Sequence, residues 1–275
     1  MAIEKLNSAL YYIEKKKISF FLGAGISRIA GCKDWNQVID DMEKEEIIKT
    51  MIISGVDNNV KFSKYKKVFE EHNQTRIYES ILMASLRHNT TDYETKYKPF
   101  FNKITTIDKD LKVITTNIDQ CLEYTEYFPR NNLFYNECDF IFSNYKIRTV
   151  FYIHGHNTEL SNSLWTEEQY KKRYRNQSFI DFVLNIISNS SVIFLGYALR
   201  DTEILEIFLK DNERKYEHFA LVPNEEYDTR KASEYKDLYN INLIDYGNKN
   251  DFINIFSVWV ANNLTLPERS ASYGK

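Results

Sequence analysis

Gly23-Ala24-Gly25-Ile26-Ser27 follows directly on the apolar run Ile18–Leu22. A strand that runs into a glycine turn with a helix behind it aims backbone N–H groups at a phosphate. The Ser27 hydroxyl can add a bond to a phosphate oxygen. No Gly-Lys-Ser/Thr follows, so the loop lacks the residues that hold a nucleoside triphosphate and magnesium. It also departs from the strict glycine fingerprint of dehydrogenases. Taken alone, the segment reads equally well as a plain strand-to-helix turn.

Three later segments also carry chemistry-bearing side chains. In Thr115-Thr116-Asn117-Ile118-Asp119, Asn117 and Asp119 follow the end of an apolar strand, where ligands bind in open parallel sheets. Asn117 offers donor and acceptor in one group, suited to a ribose hydroxyl or a water, and Asp119 can accept from an amide. The competing role for Asn117 is to cap a helix starting at Ile118. His154 follows Phe151-Tyr152-Ile153 and precedes Gly155. A histidine there can titrate near neutral pH and act as a base, or it can be a hydrogen-bonded turn residue. His156, two residues on, is the weaker candidate. Asp201, in Gly196-Tyr197-Ala198-Leu199-Arg200-Asp201, suits either a ligand contact or an N-cap, and Gly196 permits close approach of a ligand.

The elements that must position these groups alternate. Strands are expected at Ile18–Leu22, Leu111–Thr115, Thr149–Ile153, Ser191–Leu195, His218–Val222 and Asn242–Ile244. Helices are expected at Ile118–Tyr124, Thr166–Tyr174, Phe179–Ile187, Thr202–Leu209, Glu225–Leu238 and Phe252–Val260. Another starts near Asp34 as N-cap. Between Asp40 and Thr106 the periodicity is helical almost throughout. The expectation is an α/β fold: a Rossmann-like parallel sheet with helices on both faces. Residues 1–39 and 107–275 would form it, and 40–106 would be a helical module inserted after the first strand. Phe128–Arg148 reads as loop with short irregular strands, and the tail from Pro267 as frayed.

Composition narrows the classes. The net charge of −3 over 275 residues gives no general case for nucleic-acid binding. Ile3, Leu6, Leu10 and Ile13 recur at helical spacing between charges, which reads as a surface helix rather than a targeting segment. No apolar run is long enough to span a membrane, so a cytoplasmic location is expected. The three cysteines, Cys32, Cys121 and Cys138, contain no Cys-x-x-Cys, so spacing supports neither a disulfide framework nor a cysteine zinc site. Five of the eight glycines lie in or beside the four segments.

As a set, Gly-Ala-Gly-x-Ser, Thr-x-Asn-x-Asp and His-Gly resemble the catalytic domain of the sirtuin family over about Phe20 to Leu205. With Gly-Tyr-x-x-x-Asp, the set is most similar to the zinc-free sirtuin-like domains of bacterial anti-phage defence proteins. The resemblance implies NAD as substrate, with its pyrophosphate at Gly23–Ser27. Asn117 would hold the ribose or the attacking water, Asp119 the nicotinamide amide, and His154 would be base or orienter. Gly23, Ala24, Gly25, Ser27, Asp34, Thr116, Gly196 and Asp201 would contact the cofactor. No metal site is implied: the four-cysteine zinc module of deacylases has no counterpart after Cys138. Thr116 stands where sirtuins usually have Gln, and Ala198 where the defence branch often has Ser. Gly31–Trp35 occupies the place of the deacylase arginine loop.

The activity so implied is hydrolysis of NAD to nicotinamide and ADP-ribose by a defence effector. Such an enzyme must be gated, so a homo-oligomer and a sensor or ATPase partner in trans, or beyond the C-terminus, are expected. The alternatives are a catalytically silent NAD- or ADP-ribose-binding regulatory subunit and, against the missing zinc module, a protein deacylase. A bare structural Rossmann domain is the remaining reading.

Overall fold

Helices cover both faces of a seven-stranded sheet, so its central strands are apolar on both sides. The computed structural model describes residues 7–9, 11, 12, 17–51, 53–107, 111–141, 144, 147–248 and 251–264. The strands are β1 (Ile18–Leu22), β2 (Lys112–Thr115), β3 (Leu133–Phe134), β4 (Thr149–Tyr152), β5 (Ser191–Leu195), β6 (His218–Val222) and β7 (Ile241–Asp245). All pair in parallel, in the order β3-β4-β2-β1-β5-β6-β7. This is the expected Rossmann-like arrangement. From β1 the chain lays down β2 beside it, then the edge strand β3, then β4 between the two, and returns to β5 on the other side of β1. The crevice between the ends of β1 and β5 is therefore a topological switch point, where open α/β sheets bind ligands.

The helices are α1 (Ala24–Ile29), α2 (Trp35–Met42), α3 (Glu46–Lys49), α4 (Asn58–Glu71), α5 (Thr75–Ser85), α6 (Lys98–Ile107), α7 (Glu167–Tyr174), α8 (Gln177–Asn189), α9 (Thr202–Phe208), α10 (Thr229–Tyr239) and α11 (Phe252–Leu264). Alternate residues of β1 face opposite layers. Phe20 and Leu22 pack with Phe100, Phe101 and Ile104 of α6 and Phe256 and Trp259 of α11. Phe21 packs with the layer of Phe179, Phe182 and Ile186 of α8 and Ile204 and Phe208 of α9. Each fully buried phenylalanine contributes on the order of 2–3 kcal/mol.

The helices between β1 and β2 have a third core, built from Val38, Ile39 and Met42 of α2, Phe62, Tyr65 and Phe69 of α4, and Tyr78 and Leu82 of α5. Ile118 and Trp165 from the sheet side join it. Tyr93, Tyr97 and α6 pack instead on the sheet. No strand interrupts residues 40–106 among the described residues.

Local chemistry explains where the elements start. Asp34 accepts from the Gln37 N–H at 3.0 Å and Gln37 returns a bond to the Asp34 N–H, a capping box that starts α2. Thr166 and Gln169 do the same for α7. One expectation is corrected and two are made specific. The helix behind the glycine turn is α1, which begins directly after Gly23, ahead of the one at Asp34. Ile118–Tyr124 is not a helix but turns leading to a 3₁₀ turn at Glu123–Thr125, so Asn117 caps nothing. Within Phe128–Arg148, expected as loop with short irregular strands, the two residues of β3 pair with β4. The apolar positions of the expected N-terminal surface helix, and the tail from Pro267, lie outside the described residues.

Candidate functional site

The four segments meet at the switch point. The loops after β1, β2, β4 and β5 all leave the carboxyl edge of the sheet, which brings together residues up to 178 positions apart. There they border two adjoining cavities. The larger, a cleft of about 640 Å³, is lined by Ala24, Gly25, Asp34, Thr116, His154, Gly196 and Asp201 among others. The smaller, about 30 Å³, is lined by Ser27, Asn117 and Asp119 with Ala24, Thr116, Trp35 and Trp165. The last four line both. Gly23 lines neither.

The glycine loop is fitted to Gly196. The Gly23 N–H donates to the Leu195 carbonyl at 3.0 Å and the Gly25 N–H to the Gly196 carbonyl at 2.8 Å. That second amide, offered to a phosphate by the sequence reading, is thus already occupied. A Cβ on Gly25 would lie 2.8 Å from the Gly196 Cα, and one on Gly196 would lie 2.6 Å from the Ile26 nitrogen. Gly196 also holds a left-handed φ of +62°. The two backbones approach this closely only because neither carries a side chain.

The loop after β2 is stitched to the same place. Thr115 Oγ1 donates to the Leu22 carbonyl at 2.9 Å and accepts from the Asn117 N–H at 3.0 Å. Asn117 Nδ2 donates to the Gly23 carbonyl at 3.0 Å. Asp119 accepts from Ser27 Oγ at 2.5 Å and from the Cys121 N–H at 2.9 Å. Asn117, Asp119 and Ser27 are all buried, so these bonds are made away from water and resist exchange.

His154 is enclosed by tyrosines. Its Nε2 lies 2.6 Å from the Tyr174 hydroxyl and its Nδ1 3.3 Å from the Tyr170 hydroxyl. One hydroxyl donates to the ring and the other accepts from it. Burial, with the nearby Arg173 charge, pushes the His154 pKa down to about 3. The ring is therefore neutral at physiological pH and acts here as a fixed hydrogen-bonding group. Arg173 itself donates to the Ile153 carbonyl at 2.5 Å and lies over the Phe140 ring at 4.9 Å. His156 faces elsewhere: it pairs with Glu123 and bonds Thr158, a structural role.

Asp201 occupies the N-cap position of α9 without making the capping bond. It accepts instead from the Tyr197 hydroxyl at 2.5 Å. Loss of solvation pushes its carboxyl up to about 6, despite the opposing Tyr197 bond. Asp34, besides its cap, pairs with Arg28 at 3.3 Å.

Several cleft residues escaped the sequence reading: Tyr170, Tyr197, Trp35, Trp165 and the Arg200–Glu226 pair at 3.4 Å. Tyr170 and Tyr174 had a usable signal, since an i, i+4 pair on an expected helix shares one face. Trp35 and Trp165 meet edge to face with centroids 4.7 Å apart, a contact across 130 positions that nothing local announces.

Residues 111–244 match the SIR2-like domain family. The match runs from β2 to β7 and includes Thr116–Asp119, His154 and Asp201; the glycine loop precedes it. A solved structure described as "Structural Basis for the Mechanism and Regulation of Sir2 Enzymes" is similar at 14% sequence identity with a TM-score of 0.49. The similarity covers 94% of this chain and 97% of that one. No curated protein sequence matches. Among the described residues, no helix is long and apolar enough to cross a membrane.

Proposed function

We propose that this chain binds NAD+ in the cleft and hydrolyses its nicotinamide–ribose bond, giving nicotinamide, ADP-ribose and a proton. The observation that carries the reading is the convergence of the glycine loop, Asn117, Asp119 and His154 on two adjoining cavities at the β1/β5 switch point. The SIR2-like match over residues 111–244 agrees with NAD-dependent chemistry.

The chemistry asks little of the protein. The nicotinamide ring nitrogen of NAD+ is already cationic, so the bond breaks through an oxocarbenium-like state without a strong acid. The protein must hold the ribose, stabilise the developing positive charge and admit one water. In this reading Ala24, Gly25 and Gly196 carry the pyrophosphate edge, and the Ser27 hydroxyl, first expected at a phosphate, holds Asp119 instead. The Gly25–Gly196 bond is exchanged for a phosphate contact. Asn117 orients the ribose or the water, and Asp119 accepts from the nicotinamide amide. Neutral His154 holds a ribose hydroxyl, backed by Tyr174. The Asp201 carboxylate adds negative charge at the cleft wall.

The biological role proposed is that of a defence effector acting by NAD depletion in the cytoplasm. It would be gated through a homo-oligomer or through a sensor or ATPase partner in trans, with the inserted helices as gate or assembly surface. The support for this is the motif resemblance and the occupied Gly25 amide, which suits a resting site. Deacylation is disfavoured, because three cysteines cannot supply a four-cysteine zinc module.

The test is to incubate the purified chain with NAD+ and resolve the products by chromatography, with Asn117→Ala and His154→Ala alongside. Nicotinamide and ADP-ribose from the wild type alone are expected. Unchanged turnover in both variants would overturn the site. A second reading, a silent NAD-binding subunit, is favoured by the doubly bonded neutral His154. Tight NAD+ binding with no turnover in any oligomeric or partner-bound state would select it.

A further inference from the structure

Spacing in the sequence separates Cys32 and Cys121 by 89 positions, but the fold places their sulfurs 3.7 Å apart. A carboxylate oxygen of Asp119 lies within 4.8 Å of both. All three side chains are buried. Two sulfurs bound at about 2.3 Å to one tetrahedral zinc ion sit about 3.7 Å from each other. A disulfide would need them at about 2.05 Å. The pair thus already has the spacing of a metal-bound dithiolate.

Charge points the same way. Asp119 is held by one hydroxyl and one backbone amide. Among the described residues no cation pairs with it, and a buried carboxylate without a counter-charge is costly. A dication binding two thiolates and this carboxylate would supply that charge. The small cavity beside Ser27, Cys32 and Asp119, about 30 Å³, has room for a water as fourth ligand. Its shared walls with the large cleft, Ala24 and Thr116, give an entry route.

We propose that Cys32, Cys121 and Asp119 form a site for a thiophilic divalent cation such as Zn2+. Binding converts two thiols to thiolates and releases two protons: Zn2+ replaces the two S–H protons, with no change of oxidation state. The ion clamps the loop after α1 to the loop after β2. The site's cysteines precede His154, whereas the zinc module of deacylases follows that histidine. Asp119 would be shared with the nicotinamide contact of the proposed function, but the readout here, metal content, is separate from NAD+ turnover.

The experiment loads the metal-free, reduced full chain with Co2+ and then competes it with Zn2+. One Co2+ per chain, with thiolate charge-transfer and tetrahedral visible absorption lost on adding Zn2+, is expected. Cys32→Ser and Cys121→Ser should each abolish that spectrum, and Cys138→Ser should keep it. X-ray absorption of the zinc-loaded wild type needs no variant to fold, and should show two sulfur neighbours at about 2.3 Å. Absence of tight Co2+ or Zn2+ uptake, or a first shell of nitrogen and oxygen alone, would overturn the site.

Discussion

Ser27 Oγ donates to Asp119 Oδ2 at 2.5 Å, joining the helix behind the glycine loop to the turn after β2 across 92 residues. That bond, with Asn117 Nδ2 on the Gly23 carbonyl, makes the two loops one unit. A ligand that moves either loop must therefore move both.

Asn117→Ala removes the bond to Gly23 and the group that orients ribose or water. NAD+ turnover should fall on the order of 100-fold. The buried Gly23 carbonyl keeps its bond from the Ile26 N–H at 3.0 Å, so loss of the Asn117 bond alone should cost about 1 kcal/mol of stability. Product chromatography and a denaturant titration read the two effects separately. Turnover within twofold of wild type would remove Asn117 from the mechanism.

Tyr174→Phe deletes the hydroxyl on His154 Nε2 while keeping the ring that packs edge to face on Phe179. If Tyr174 positions His154, kcat should drop about tenfold with KM nearly unchanged. A change in KM alone would assign Tyr174 to substrate binding instead.

Gly196→Ala places a Cβ 2.6 Å from the Ile26 nitrogen at a left-handed φ. A loss of about 2 kcal/mol or more is expected, seen as a Tm lowered by roughly 5 °C. A variant as stable as wild type would show that α1 can move away from the β5 loop.

Asp34 serves as N-cap of α2 and was also expected to touch the cofactor. Asp34→Ala should cost about 1 kcal/mol, and Asp34→Ser should restore most of it because serine also caps. NAD+ affinity separates the roles. If Ser restores stability but not affinity, the carboxylate contacts ligand; if it restores both, Asp34 acts through the helix.

Acid should destabilise the fold through His154 and His218, whose pKa values are both pushed down to about 3. Unfolding lets each take a proton, so their stabilising contribution is complete above pH 6.5 and is lost as pH falls toward 3. Asp201, raised from 3.8 to about 6, has the opposite sign: the folded state holds its proton over that window. Two protons gained on unfolding against one lost leave a net slope of about 1 kcal/mol per pH unit, stability rising with pH. Asp201→Asn removes the opposing group, so its unfolding free energy between pH 4 and 6 should change about twice as steeply. An unchanged slope would mean that Asp201 titrates normally.

Much of the framework follows from residue order alone. Short β-branched and aromatic runs bounded by glycine or polar residues mark β1, β5 and β6 at their observed limits, because strands buried on both faces are apolar throughout. Asp34 announces the start of α2 because an N-cap bond is made within the first turn; the reciprocal bonds of Gln37 and Gln169 emerge only in the fold. The site segments are legible for the same reason: each lies at the end of a strand, and strand ends in a parallel sheet share one edge. What the sequence left open was decided by contacts between segments far apart. Whether Asn117 caps a helix or bonds Gly23 depends on β1 and β2 lying side by side. The pairing of Trp35 with Trp165, the tyrosine enclosure of His154 and the meeting of Cys32 with Cys121 are likewise products of packing. Local periodicity records which face a residue presents, but only the closed tertiary structure sets which other residue it meets there.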